Sequence, residues 1–157
     1  MRFYECGARY MKTMDNGLEK KVTELYSVDA LSFAEAEGKL INELSPYRED
    51  GVEVVTMKIA PYQELVDSEE GDRWYRAKVK YITVDEKTER EKNTSVCYLV
   101  RARDIDHSRQ RLDEFMKGTM VDWECESLVE TKIMDVYLYH ATKAETYAPG
   151  ESSTEGA

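Results

Sequence analysis

Hydrophobic and polar positions alternate from Phe3 to Lys12, with Tyr4, Cys6, Ala8 and Tyr10 on one face and Phe3, Glu5, Gly7 and Arg9 on the other. This period of two is the signature of a half-buried strand, and the tyrosine side is the expected core face. Asp15-Asn16-Gly17 supplies residues that tolerate positive φ, so the chain should turn tightly and return as an antiparallel strand over Lys20 to Val28. The period then changes to that of a helix. Ser32-Phe33-Ala34-Glu35 has capping-box spacing, and Phe33, Ala36, Leu40, Ile41 and Leu44 form one apolar stripe. Ser45-Pro46 closes this helix, because proline disfavours the α conformation in the residue before it. Val52 to Ile59 reads as a third strand, ended by Pro61.

The same plan restarts at Arg73. Tyr75, Ala77, Val79 and Tyr81 take the core face, and Trp74, Arg76, Lys78, Lys80 and Ile82 the other. A polar turn over Asp85 to Lys92 leads to a return strand over Thr94 to Val100. Asp104 is the expected N-cap of a second helix with Ile105, Leu112, Phe115 and Met116 on its apolar side, and Gly118 is its stop. A third strand is expected over about Trp123 to Ile133, with Asp135 to His140 extended or pairing at an edge. Between the two passes, Gln63 to Asp72 forms an acidic connector with one helical turn expected around Glu64 to Val66.

Arg2, Tyr4 and Tyr10 match Arg73, Tyr75 and Tyr81 in order, and Tyr26, Val28, Ala30 and Leu40 match Tyr98, Val100, Ala102 and Leu112. Matches that keep their order across several elements indicate an internal duplication. The expected fold is α+β: two tandem β-β-α-β repeats related by pseudo-twofold symmetry, each helix packed on an antiparallel sheet. The repeats are placed at 1–67 and 73–140, with a connector at 68–72 and a disordered tail at 141–157, where periodicity gives way to Gly, Pro, Ser and Glu.

A chain of 157 residues has room for a real core without disulfides or metals. Three cysteines, Cys6, Cys97 and Cys125, form no CxxC pair, and the start lacks a continuous apolar run, so a cytoplasmic protein with free thiols is expected and no membrane segment is read. The net charge of −10 opposes generic binding to a polyanion, although the acidic excess is larger before Gly71 than after it.

No catalytic set, cofactor motif or metal cluster is legible. The two histidines, His107 and His140, stand apart, and Asp104 and Asp106 around His107 fit helix capping better than ligation. Phosphate-binding loops and nucleophile elbows are missing. Cys6, alternating with core tyrosines, reads as a small buried hydrophobe, and the period-two tyrosines Tyr4, Tyr10, Tyr75 and Tyr81 read as core rather than a ligand pocket. One constellation leans toward function. Trp74, Arg76, Lys78 and Lys80 put an aromatic and three cations on one strand face, a surface on which bases stack and phosphates pair. Arg101, Arg103, Arg109 and Arg111 would extend it if the second helix packs nearby. The competing reading is a solvated sheet face whose lysines pair with glutamates.

Arg73-Trp74-Tyr75, the Asp85-Glu86-Lys87 turn and the closing run Glu130-Thr131-Lys132-Ile133-Met134-Asp135-Val136 stand in an order that resembles a family of small uncharacterised bacterial and phage proteins, known only as a domain of unknown function. The likeness covers about residues 1–139, rests on structural motifs and transfers no activity or site. It implies a phage or mobile-element context. The expected function is therefore a non-catalytic interaction protein, an accessory factor or inhibitor acting on a host protein, whose acidic first copy and exposed sheet edges meet a partner, a basic one by charge. The alternative is a nucleic-acid or nucleotide-binding protein using the Trp74 face.

Overall fold

In the first of two compact units, β1 (Arg2–Thr13) and β2 (Glu19–Ala30) pair antiparallel from Arg2 opposite Ala30 to Thr13 opposite Glu19. Gly17 takes the positive φ that the turn requires, +83°. Helix α1 (Phe33–Leu44) begins where the Ser32 hydroxyl accepts a 3.1 Å hydrogen bond from the Glu35 amide, and it ends in a 3-10 turn at Ser45–Tyr47. Strand β3 (Glu53–Ile59) then pairs antiparallel with β1. The helix sets Ala36, Leu40 and Leu44 against Tyr4, Cys6, Ala8, Tyr26, Val28 and Ala30, all buried. Burial of the larger of these side chains supplies about 1.5–3 kcal/mol each.

The second unit holds β5 (Arg73–Val84), β6 (Glu91–Ala102), α2 (Ile105–Met116) and β7 (Asp122–Glu130). Asp104 caps α2 by accepting from the His107 amide at 2.8 Å, and Gly118 follows the helix with φ of +89°. Leu112, Phe115 and Met116 pack with Tyr75, Ala77, Val79, Tyr98, Val100 and Ala102. The core faces of both hairpins are those expected from the alternation.

Each sheet is completed by a strand from elsewhere in the chain. β4 (Tyr62–Val66) lies parallel to β6 in the second unit, and β8 (Ile133–Tyr137) lies parallel to β2 in the first. The strand orders are β3-β1-β2-β8 and β4-β6-β5-β7. The architecture is thus α+β with two four-stranded sheets and two helices, and the sheets are mixed rather than wholly antiparallel. Glu64 to Val66, expected as a helical turn, is strand, because Leu65 and Val66 pair with Leu99 and Val100 and are buried. The expected continuous strand from Trp123 to Ile133 is broken after Glu130, where the Thr131 amide and hydroxyl both donate to the Trp74 carbonyl. The chain then enters β8. The structure is a computed structural model that describes residues 2–48 and 50–139; the expected tail and His140 lie outside them. Among the described residues, no helix is long and apolar enough to cross a membrane.

Five side chains depart from the predicted faces: Trp74, on the outer face of β5, is buried, and Phe33, on the expected apolar stripe of α1, is 47% exposed. Phe3 and Glu5, placed on the solvent side of β1, are 2% and 4% exposed, and Glu5 keeps its charge satisfied at 3.4 Å from the Lys58 ammonium. Ile105, placed on the apolar side of α2, is exposed, as its position in the first turn sends its side chain back past the helix start.

Two glycines at positive φ separate conformational from steric demand. Gly118 has open space where a Cβ would stand, whereas a Cβ on Gly71 (φ +91°) would strike the backbone of Ala102 and Arg103. Chemical denaturation should therefore show Gly118→Ala losing about 1–2 kcal/mol, the left-handed penalty alone, and Gly71→Ala losing about 3 kcal/mol or more because backbone must also move. Equal losses would show that the close approach at Gly71 is not maintained.

Candidate functional site

The basic strand face forms as the alternation requires, but its charges are paired. Lys78 and Lys80 of β5 stand beside β7, and their ammonium groups lie 3.2 Å from Glu126 and Glu124 respectively. Glu126 also accepts from the Ser95 hydroxyl at 3.2 Å, and the Lys78 ammonium holds its carboxyl below the usual range. Trp74, expected as an exposed stacking surface, is only 4% exposed. The Arg101 guanidinium sits 5.6 Å from its ring centre and is itself fixed by the Gly71 carbonyl at 2.9 Å and Asp67 at 3.4 Å. Arg76 is half-buried on the same face. The other arginines considered as extensions are held locally: Arg103 by Glu70 at 2.7 Å, Arg109 by Asp113 at 3.0 Å and Arg111 by Glu114 at 3.0 Å. The sequence thus locates the cations correctly, while their glutamate partners on β7 depend on a register that only the folded sheet shows.

A second location carries more unsatisfied chemistry and was not singled out by the sequence. A cavity of about 580 Å³ opens in the first unit, lined by Tyr10, Lys12, Glu24, Tyr26, Tyr47 and Arg48 among others. Strand alternation puts Glu24 on the side of β2 that also carries Tyr26 and Val28, so a carboxylate stands where an apolar residue is expected. Its Oε1 accepts from the Tyr10 hydroxyl in a short hydrogen bond and from the Tyr26 hydroxyl at 3.3 Å. The 3-10 turn after α1 delivers Arg48, whose guanidinium stacks 3.8 Å from the centre of the Tyr10 ring while its Nη1 donates to the Tyr47 carbonyl at 3.0 Å. The Arg48 Nε is buried and has no hydrogen-bond partner among the described residues.

Burial, followed by the neighbouring Glu24, pushes the Tyr10 and Tyr26 phenols above their ordinary range. Burial also pushes Tyr137, which stacks on Tyr26 with ring centres 6.0 Å apart, up to about 12. These hydroxyls remain protonated donors at neutral pH. The one early sign in the sequence was Glu24, a charged residue in phase with core tyrosines. Nothing local announced Arg48.

In the second unit, the corresponding strand position carries no charge. Val96 precedes Tyr98 by the same two positions as Glu24 precedes Tyr26, and the Tyr81 and Tyr98 hydroxyls hydrogen-bond to each other at 2.7 Å. Tyr81 also donates to the Met116 sulfur at 3.7 Å.

Among the described residues no group of three His, Cys, Asp or Glu side chains is placed to hold a metal ion. The cysteines are free, and burial raises the Cys6 thiol to about 11, with Glu37 and Glu5 adding to the shift. A thiol-reactive dye at mildly alkaline pH should therefore label Cys97 and Cys125, which are partly exposed, while Cys6 reacts roughly a hundredfold more slowly until denaturant is added. Three equally fast sites in native protein would contradict the packing of β1 under α1.

No curated protein and no solved structure matches the chain. A family model described as a domain of unknown function, DUF4494, matches residues 2–139, which reach from the start of β1 to the end of the described residues. On that match the chain belongs to the DUF4494 family.

Proposed function

We propose that the protein is a non-catalytic interaction protein whose second unit takes up an extended, basic segment of a partner along β7. The observation that carries this reading is the edge itself. Among the described residues β7 ends its sheet, pairs only with β5 and carries no cation in its nine residues; of its acids, Glu124 and Glu126 are shared with Lys80 and Lys78, Glu130 lies 3.9 Å from Arg73, and Asp122 stands at its start. An open edge offers unpaired backbone groups to an added strand, and alternate side chains then set the specificity. Val129, 50% exposed beside these acids, supplies an apolar contact for such a segment. A lysine- or arginine-rich strand matches the acidic edge, and the overall charge of −10 favours its approach.

The shared β-β-α-β order and the ordered matches between Arg2–Leu40 and Arg73–Leu112 support descent of the two units from one duplicated ancestor. Under that history the edge and the cavity are later specialisations of single copies. The phage or mobile-element setting, with a cytoplasmic host protein as partner, follows from the resemblance drawn from the sequence. Nucleic-acid binding on Trp74, Arg76, Lys78 and Lys80 has weaker support, since the indole is covered and two of the cations already face carboxylates.

Fluorescence anisotropy with a labelled ten-residue peptide of alternating Lys and Val should show binding that weakens with salt and falls at least about tenfold in the Asp122→Lys/Glu130→Lys variant. A single-stranded DNA oligonucleotide that binds more tightly than the peptide, and is lost in Arg76→Glu/Lys78→Glu, would transfer the function to the opposite reading.

A further inference from the structure

The cavity in the first unit holds two opposite and incompletely used charges. Arg48 has one nitrogen committed to the Tyr47 carbonyl and its plane fixed on the Tyr10 ring, leaving the buried Nε as a charged donor facing no acceptor among the described residues. That nitrogen is itself covered, but the guanidinium it belongs to lines the cavity, so an anionic group entering there meets a fixed positive charge. Glu24 is the counterpart. Both tyrosine hydroxyls use its Oε1, while among the described residues Oε2 has only the Lys12 ammonium at 4.0 Å, beyond hydrogen-bond length.

The remainder of the lining decides which ligand suits this pair. Glu19 and Asp50 add negative charge, so a bare anion or a polyphosphate would meet three carboxylates, counting Glu24. A simple amine would satisfy Glu24 and leave Arg48 as it was. A molecule carrying both charges a few bonds apart meets both demands, and the tyrosine rings supply an apolar wall for its body. Nor is Glu24 required to hold the tyrosines in place: the second unit satisfies Tyr81 and Tyr98 without any carboxylate, with Val96 in the corresponding strand position. A carboxylate nearly buried at 15% exposure where valine suffices is costly for folding and points to a ligand.

We propose that this cavity binds a small zwitterion of free amino-acid size, with its carboxylate on Arg48 and its ammonium on Glu24. The site is independent of the β7 edge and stands or falls separately from it.

Isothermal titration calorimetry of the full chain against each common L-amino acid tests the assignment. Each active compound would be compared with the analogue lacking its carboxylate and the analogue lacking its ammonium. At least one amino acid should bind with a Kd below about 1 mM, and both analogues should bind at least about tenfold more weakly. Arg48→Gln and Glu24→Gln should each cause a similar loss, and Glu24→Gln should keep its melting temperature because a carboxamide oxygen still accepts from both tyrosines. Absence of binding by every amino acid at about 10 mM, or equal binding by the amine analogue, would overturn the proposal. The analogue comparison uses unaltered protein, so it decides the matter even if a variant fails to fold.

Discussion

Parallel pairing is the constraint from which the architecture follows. Two antiparallel strands close through a tight turn, but a parallel neighbour can be reached only after a long excursion. β2 and β6 both carry such a neighbour, β8 and β4 respectively. The first unit therefore cannot be completed by its own consecutive β-β-α-β run, and neither can the second. Tyr26 and Val28 of β2 face their helix on one side and gain β8 along the edge, so the order of the core depends on residues more than a hundred positions away. Contacts of this range slow folding relative to a local hairpin, because chain entropy is lost before the pairing contributes.

Local physics explains why much of the fold could be read before the structure was seen. The hairpin turns, the Ser32 and Asp104 caps, the Gly118 stop and the tyrosine core faces each depend on neighbouring residues, and each appears where the pattern put it. The failures share a cause. Leu65 and Val66 were too short a segment to show a period, and their strand identity is conferred by β6. Phe3, Glu5 and Trp74 occupy the expected side of their strands but are buried there, a fact set by tertiary surroundings rather than alternation. The candidate sites divide the same way: Lys78 and Lys80 were visible as a stripe, their neutralisation by Glu126 and Glu124 was not, and Arg48 enters its cavity from a turn with no signature of its own.

The two hairpins illustrate how one framework is made inert or chemically open by a single position. In the second, two tyrosine hydroxyls satisfy one another. In the first, both hydroxyls are drawn to Glu24, and a stacked arginine beside them retains an unused donor. Polar groups buried in this way are more restrictive than apolar ones, since each must keep its partners or lose stability.

The cavity also has a place in time. Met134 of β8 belongs to its wall, and Tyr137 of β8 stacks on Tyr26. A ribosome synthesises β1, β2, α1 and Arg48 early, then makes the whole β4–β7 run before these two residues emerge. Vectorial synthesis at about 5–20 residues per second leaves the nascent first unit for several seconds with one wall missing. The cavity is thus complete only after translation has passed through both units, and any chain stopped before β8 carries Glu24 and Arg48 without Met134 in the wall or Tyr137 against Tyr26.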